Sequence, residues 1–111
     1  MNLADIPAID VHAHYGIYIR DDGDPLVDGF MSASAEAVVA RARACGVEWT
    51  VASPLAGLLP RGRTDSVAGN EAAFREVPTV PGLLQYVIVN PLQPRTFDQA
   101  RVMLKSAHCV G

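Results

Sequence analysis

The chain has 111 residues, half of them apolar, and a net charge of −3, which is typical of one small globular domain and excludes a disordered segment. Its scattered basic residues exclude the clustered Lys and Arg of a nucleic-acid-binding surface. The first residues lack the basic start and apolar run of a signal peptide, and no segment has the length and hydropathy to cross a bilayer. We therefore expect a cytoplasmic protein that binds neither nucleic acid nor membrane.

Strand and helix patterns alternate along the chain. Three strands are predicted, over residues 8–14, 47–53 and 83–90. Three helices are predicted, over residues 35–45, within residues 65–77, and after a capping box at residues 96–99. Ser32 or Ser34 is the expected N-cap of the first helix and Gly46 its C-terminal stop. The third helix is expected to bury a face containing Phe97 and Leu104, and residues 15–31 are expected to form a long polar loop.

The first predicted strand ends in two histidines, within the residues IDVHAHYG at positions 9–16. Side chains two apart on a strand point to the same face, so His12 and His14 stand side by side. Both imidazoles are then within reach of one metal ion, which binds ring nitrogens at about 2.0–2.1 Å. Imidazole suits zinc and similar metals, whereas alkaline-earth ions prefer oxygen. The sequence therefore predicts a divalent metal site, for zinc above all, with His12 and His14 as ligands.

The spacing of the strands predicts a parallel α/β architecture. Strand ends at His14, Ser53 and Asn90 are about forty residues apart, and strands that alternate with helices at this period form a parallel sheet with right-handed crossovers. Eight such units make a (β/α)8 barrel (TIM barrel) of about 250–300 residues. Three units are present, and residues 109–111 begin a fourth strand. Residues 1–111 are therefore expected to form the N-terminal part of one incomplete barrel domain.

These motifs resemble those of the amidohydrolase-related family of metal-dependent hydrolases, which open their first strand with Ile-Asp-x-His-x-His-x-Gly. Similar features follow in order: Gly46-Val47, Gly69-Asn70-Glu71, Val89-Asn90-Pro91 and Cys109-Val110-Gly111. The resemblance implies a distorted barrel with one or two divalent metals at the strand ends, and His12 and His14 as the ligands from strand one. It also implies hydrolysis of a carbonyl-type substrate, although some relatives decarboxylate or hydrate. The family's other ligands and its aspartate come from later strands, so no residue here is assigned a catalytic role, and this segment alone is expected to be inactive.

Four residues near the presumed catalytic edge are candidates for contacts with a small-molecule substrate. Ser53 and Asn90 end strands, where barrel enzymes place such contacts, although Ser-Pro and Asn-Pro also start ordinary turns. Tyr15 and Arg20 belong to the segment that directly follows the histidines. Asp10 has the parity of the histidines, so it either orients an imidazole or makes a structural hydrogen bond.

Two other interpretations remain open. A phosphoesterase of the polymerase-and-histidinol-phosphatase type also begins with His-x-His, followed by Thr or Ser and a nearby Asp-Gly. Here Tyr15-Gly16 follows the pair, while Asp22-Gly23 lies nearby. A non-catalytic half-barrel or interaction module would bind no metal, and its open sheet edges would favour self-association. Cys45 and Cys109 are expected to be buried free thiols.

Overall fold

The computed structural model describes residue 2 and residues 5–111. In this part of the chain three strands alternate with four α-helices, in the order β1 (Ala8–Tyr15), α1 (Pro25–Phe30), α2 (Ala35–Ala44), β2 (Val47–Pro54), α3 (Ser66–Glu76), β3 (Leu83–Gln85) and α4 (Arg95–Met103). The strands form a parallel sheet in the order β1-β2-β3. Cys109 pairs with Gln85 in a parallel bridge, which places the start of the next extended segment beside β3. The predicted α/β class and the parallel, sequential strand order are confirmed.

The hydrophobic core lies between one face of the sheet and helices α2 and α3. On β1 the residues Ala13 and Tyr15 point into this layer. The buried core residues are Tyr15, Ala35, Val39, Ala52, Ala73, Val77, Val80 and Leu83. On the opposite face Val51 is buried, whereas the register partners Ile9 (59% exposed) and Trp49 (40% exposed) are open to solvent. A parallel sheet is usually covered on both faces, whereas the second, apolar face of this sheet is partly open to solvent.

The predicted helix boundaries are confirmed at α2 and α3. The Ser34 hydroxyl accepts a hydrogen bond from the Ala37 N–H at 3.2 Å, and the Asp65 carboxylate accepts one from the Ala68 N–H at 2.9 Å. These caps satisfy backbone donors that have no partner inside a helix. Gly46 ends α2 with a φ of +80°, a conformation that side chains with a Cβ rarely adopt.

The loop predicted over residues 15–31 contains a short helix, α1, so this expectation was wrong for residues 25–30. The Asp24 carboxylate accepts a hydrogen bond from the Leu26 N–H at 2.8 Å, and Pro25 occupies the first turn. Proline is favoured there because its missing N–H would have no partner. The Asp-Pro pair was therefore the signal for this helix. In the described part of the chain no helix has the length and hydropathy that crossing a bilayer would need.

The third predicted strand is shorter than expected, because β3 ends at Gln85 rather than at Asn90. Beyond it, the Ile88 N–H donates to the Asn70 side-chain oxygen, and the Ile88 carbonyl accepts from the Asn70 side-chain amide, each at 2.8 Å. Tyr86 still donates its N–H to the Ala52 carbonyl at 2.9 Å. Val87 donates its N–H to the Gly111 carbonyl at 2.8 Å, so the backbone pairing moves to helix α3 only at Ile88.

The predicted capping box at residues 96–99 was wrong. Helix α4 begins at Arg95, and Thr96 is fully buried in its first turn, with its hydroxyl bonded to the Gln93 carbonyl at 2.8 Å. The buried side of α4 therefore contains Thr96 and Met103, while the predicted core residues Phe97 and Leu104 are exposed.

Both cysteines are free, as expected, but only Cys109 is buried. Cys45 is exposed because it follows the last turn of α2, at the C-cap. Burial raises the pKa of the Cys109 thiol. This thiol lies 3.6 Å from the Gln85 side-chain oxygen, inside the protein.

Candidate metal centre

His12 and His14 lie side by side near the carboxyl end of β1. Both side chains are exposed, on the face of the sheet opposite to α2 and α3. The ring centroids are 5.2 Å apart, and the ring planes meet at 80°. The structure thus brings the two predicted ligands together on an accessible surface.

The main chain of β2 orients the His14 ring. Ser53 is the register partner of His14, and its carbonyl oxygen lies 3.3 Å from His14 Nδ1. A carbonyl oxygen only accepts, so this contact is a hydrogen bond when Nδ1 carries the proton. The Nε2 lone pair then points away from the bond and is free for a ligand. Metal-binding histidines commonly have a hydrogen bond of this kind at their second ring nitrogen.

A β-bulge in β1 determines which face the histidines occupy. Between Asp10 and Ala13 the strand advances three residues, while β2 advances two from Thr50 to Ala52. Burial alternates along β1 except at Val11 and His12, which are adjacent and both exposed. The bulge therefore reverses the parity of the strand at this point.

The bulge also corrects the expected role of Asp10. This residue pairs with Thr50, which is buried on the helix side of the sheet, whereas the histidines face the other side. The Asp10 carboxylate accepts a hydrogen bond from the His12 backbone N–H at 2.9 Å. Of the two roles considered, the structure shows the structural hydrogen bond, which satisfies a backbone donor at the bulge.

The histidine pair supplies two ligands. Among residues 2 and 5–111 there is no group of three or more His, Cys, Asp or Glu side chains arranged to hold a metal ion. Zinc sites are almost always four-coordinate, so two of the positions around an ion on this pair would be filled by water or by groups from outside the described residues. The donor chemistry of the pair fits a borderline metal such as zinc.

Of the residues predicted to contact a substrate, Ser53 lies close to the histidine pair, whereas Arg20 is engaged elsewhere. Ser53 lies beside His14, on the same face. The Arg20 guanidinium donates to the Asp28 carboxylate through Nε and Nη2, at 3.0 and 2.8 Å, and lies over the Tyr18 ring. This ion pair joins Arg20 to the short helix α1, to which Asp28 belongs.

Asn90 makes the bonds of a turn residue. Its side-chain oxygen accepts from the Leu92 N–H at 3.0 Å, and its amide donates to the Ser66 hydroxyl at 3.2 Å. Its own N–H donates to the Thr96 hydroxyl at 2.9 Å. Both ends of the carboxamide are thus engaged in joining the chain after β3 to α3.

Tyr15 points away from the histidine pair. Its side chain is 5% exposed and packs in the core between the sheet and the helices, so the structure separates it from His12 and His14. Its hydroxyl oxygen is buried and has no hydrogen-bond partner among the described residues. Burial raises the pKa of this hydroxyl, and the negative charge of Glu76 raises the pKa further. The alternation of side chains on a strand already indicated that residues 14 and 15 face opposite sides.

A buried polar network that sequence reasoning did not identify supports this end of the sheet. Asn70 is fully buried in α3, and its amide donates to the Ile88 carbonyl and to the Gln99 side-chain oxygen, at 2.8 and 3.0 Å. Gln99 in turn donates to the Val67 carbonyl at 2.9 Å. In the sequence, the motif Gly69-Asn70-Glu71 was interpreted only as part of the family resemblance. The signal for the network was Asn70 itself, a polar residue on the face of α3 that also contains the buried Gly69 and Ala73.

The functional interpretation depends on these residues alone. No protein-family model, curated protein or solved structure matches this chain. The geometry of the histidine pair, the bulge that exposes it and the carbonyl that orients it are therefore the observations from which a function is inferred.

Proposed function

We propose that this chain contributes the first two metal ligands of a metal-dependent hydrolase of the amidohydrolase type. The observation that carries the proposal is the exposed pair of His12 and His14, with His14 oriented by the Ser53 carbonyl. The pair lies at the carboxyl end of a parallel strand, which is where α/β barrels hold their catalytic groups. An ordinary surface histidine pair would need neither the bulge nor the oriented ring.

The proposed parent fold is a (β/α)8 barrel of which this chain forms the first three βα units. Three features support it: the strands are parallel and sequential, the helices cover one face, and the other face is apolar and partly exposed. In a barrel the second face becomes the interior, which is filled by side chains from all strands. Ile9, Val11 and Trp49 are exposed on β1 and β2 and would meet such partners.

A divalent metal, zinc above all, would be held by His12 and His14, and it would supply hydroxide at neutral pH by lowering the pKa of water from 15.7 to about 7. The contribution of this chain is to position that group. The Ser53 carbonyl fixes the orientation of one imidazole, and the hydrogen bond from the His12 N–H to Asp10 fixes the backbone from which the other projects. Hydrolysis, decarboxylation and hydration of a carbonyl-type substrate share this requirement.

Zinc binding tests the proposal most directly. We expect the purified chain to compete weakly with a chromophoric chelator for one Zn²⁺, because two protein ligands leave the remaining positions to water. His12→Ala and His14→Ala should each abolish this competition. His108→Gln is the matched control, since His108 lies in the turn after α4, where its ring contacts Phe74.

X-ray absorption of the zinc-loaded chain gives the coordination directly. The expected first shell contains two imidazole nitrogens, with oxygen in the other positions. Zinc that binds equally well to the His12→Ala and His14→Ala variants would overturn the proposal, as would the absence of any binding. In a longer protein containing these residues, cleavage of phosphate esters in preference to carbonyl substrates would favour the phosphoesterase alternative.

A further inference from the structure

The spacing of the histidine pair matches a tetrahedral ion, but the pair supplies only half of the ligands of such an ion. Two imidazoles on one ion, with bonds of about 2.0–2.1 Å, have ring centroids roughly 5 Å apart. The centroids of His12 and His14 are 5.2 Å apart, and both side chains are exposed. The part of the chain that the structure describes offers no third His, Cys, Asp or Glu side chain in a group with them. An ion on this pair therefore has two positions open to another molecule.

The pair lies on the partly open face of the sheet, next to exposed apolar side chains. Ile9, Val11 and Trp49 are exposed beside the histidines on β1 and β2. Apart from the histidines, the only ionisable group near neutral pH in β1 is Asp10, which pairs on the helix side, and residues 49–54 of β2 contain none. An exposed apolar surface around a polar centre is typical of a protein–protein contact.

We infer that Zn²⁺ joins two copies of this chain through His12 and His14, with the two sheet faces opposed. In a dimer with twofold symmetry the same patch contacts itself, so the second copy presents the same two imidazoles and completes the four-coordinate shell. A charge near the symmetry axis would face its own counterpart, and this patch has none. The contact also covers the apolar side chains beside the histidines. This dimer rests on the metal site of the proposed function and adds a partner to that site.

The ratio of zinc to chain determines which complex forms. When the chain is in excess, two copies share one ion. When zinc is in excess, each chain binds its own ion, and water fills the other positions. Dimerisation should therefore be greatest near half an equivalent of zinc and should decline as more zinc is added. Association through the apolar face alone has no such maximum.

Sedimentation velocity across a zinc titration tests this dimer, at a chain concentration below that at which the metal-free chain self-associates. We expect the dimer fraction to rise, to reach a maximum near half an equivalent, and to fall in excess zinc. X-ray absorption should show four imidazole nitrogens around zinc at the maximum and two in excess zinc. His12→Ala and His14→Ala should each remove the maximum, whereas His108→Gln, in the turn after α4, should retain it.

A substitution on the apolar face separates the second copy from the metal site. Val11→Lys should lower the association constant of the zinc-bound dimer at least about tenfold, because it brings two like charges together in the contact. Each chain of this variant should still bind one ion in excess zinc. Val102→Lys is the matched control, because it adds the same charge at an exposed valine of α4 and should leave the maximum unchanged. Circular dichroism establishes that both variants fold.

Three results would overturn this dimer. They are zinc bound by a monomer at every ratio, a dimer fraction that does not fall in excess zinc, and dimerisation that Val11→Lys leaves unchanged. The first result leaves the proposed metal site intact, because zinc still binds the two imidazoles of one chain. The absence of any zinc binding would instead remove the metal site itself, so the failure of the dimer and the failure of the proposed function give different results.

Discussion

Replacing Tyr15 by phenylalanine should stabilise the protein. The side chain is 5% exposed, and its ring packs in the core beside Ala35 and Ala73. Phenylalanine keeps the ring and all of these contacts, and it removes only a hydroxyl that has no partner among the described residues. The substitution therefore isolates the free-energy cost of burying that hydroxyl.

The size of the effect follows from the desolvation of the hydroxyl. A buried polar group without a hydrogen bond costs about 1–3 kcal/mol relative to the same group in water. Phenylalanine avoids this cost, so the free energy of unfolding should rise by about 1 kcal/mol or more. For a domain of this size, 1 kcal/mol corresponds to a rise of about 4 °C in Tm.

Urea unfolding followed by circular dichroism measures this difference, because the midpoint rises while the slope stays constant if only stability changes. Tyr86→Phe is the control, since it removes the same group from a partly exposed residue whose hydroxyl is not among the buried orphans. A loss of more than 1 kcal/mol in Tyr15→Phe, with Tyr86→Phe unchanged, would refute the reasoning, because it would mean that the Tyr15 hydroxyl has a stabilising partner.

Three further substitutions test the packing and the open face. Gly69→Ala should destabilise the fold by about 2 kcal/mol or more in urea unfolding, because its Cβ would lie 2.4 Å from the backbone of the facing turn. Gly29→Ala is the control: a Cβ there meets nothing within 4 Å, so the substitution should stabilise α1 by a few tenths to about 1 kcal/mol. Equal effects would contradict this packing. Asn70→Ala should cost about 3 kcal/mol, because it leaves both backbone groups of Ile88 unpaired, and a loss below 1 kcal/mol would contradict that view. Sedimentation should show concentration-dependent self-association that Val11→Lys reduces, and a monomer at all concentrations would argue against an unsatisfied sheet face.

Local signals predicted most of the fold. The caps at Ser34 and Gly46 and the β-branched run before Pro54 act over a few residues, so the sequence alone located α2 and β2. The end of β3 was not predictable in this way. It depends on the carboxamide of Asn70, which lies 18 residues away from Ile88 and reaches it only after α3 has packed. Thr96 was misassigned for the same reason, because its hydroxyl bonds backbone groups that only the folded turn brings near.

In the candidate site, too, the sequence predicted what local patterns determine and missed what long-range packing determines. The pairing of His12 with His14 needs only the two-residue period of a strand, and the sequence was sufficient for it. The contact between His14 and the Ser53 carbonyl needs the register of β1 against β2, which no local pattern determines. The effect of the Glu76 charge on the pKa of the Tyr15 hydroxyl could not be inferred from the sequence, because 61 positions separate the two residues and only the packing of α3 brings them near each other.

The bulge in β1 is the reason why the two histidines and Tyr15 lie on the faces of the sheet that they occupy. Without an extra residue, strict alternation from the half-buried Ala8 and Asp10 would turn His12 and His14 towards the helices and Tyr15 outwards. The doubled exposed position at Val11 and His12 reverses this arrangement, so the imidazoles reach the open face and the phenol enters the core. A bulge of this kind exposes unpaired backbone, and the Asp10 carboxylate satisfies the freed His12 N–H. Asp10, which the sequence suggested as a partner of an imidazole, therefore acts on the backbone instead, by stabilising the change of parity on which the exposure of both histidines depends.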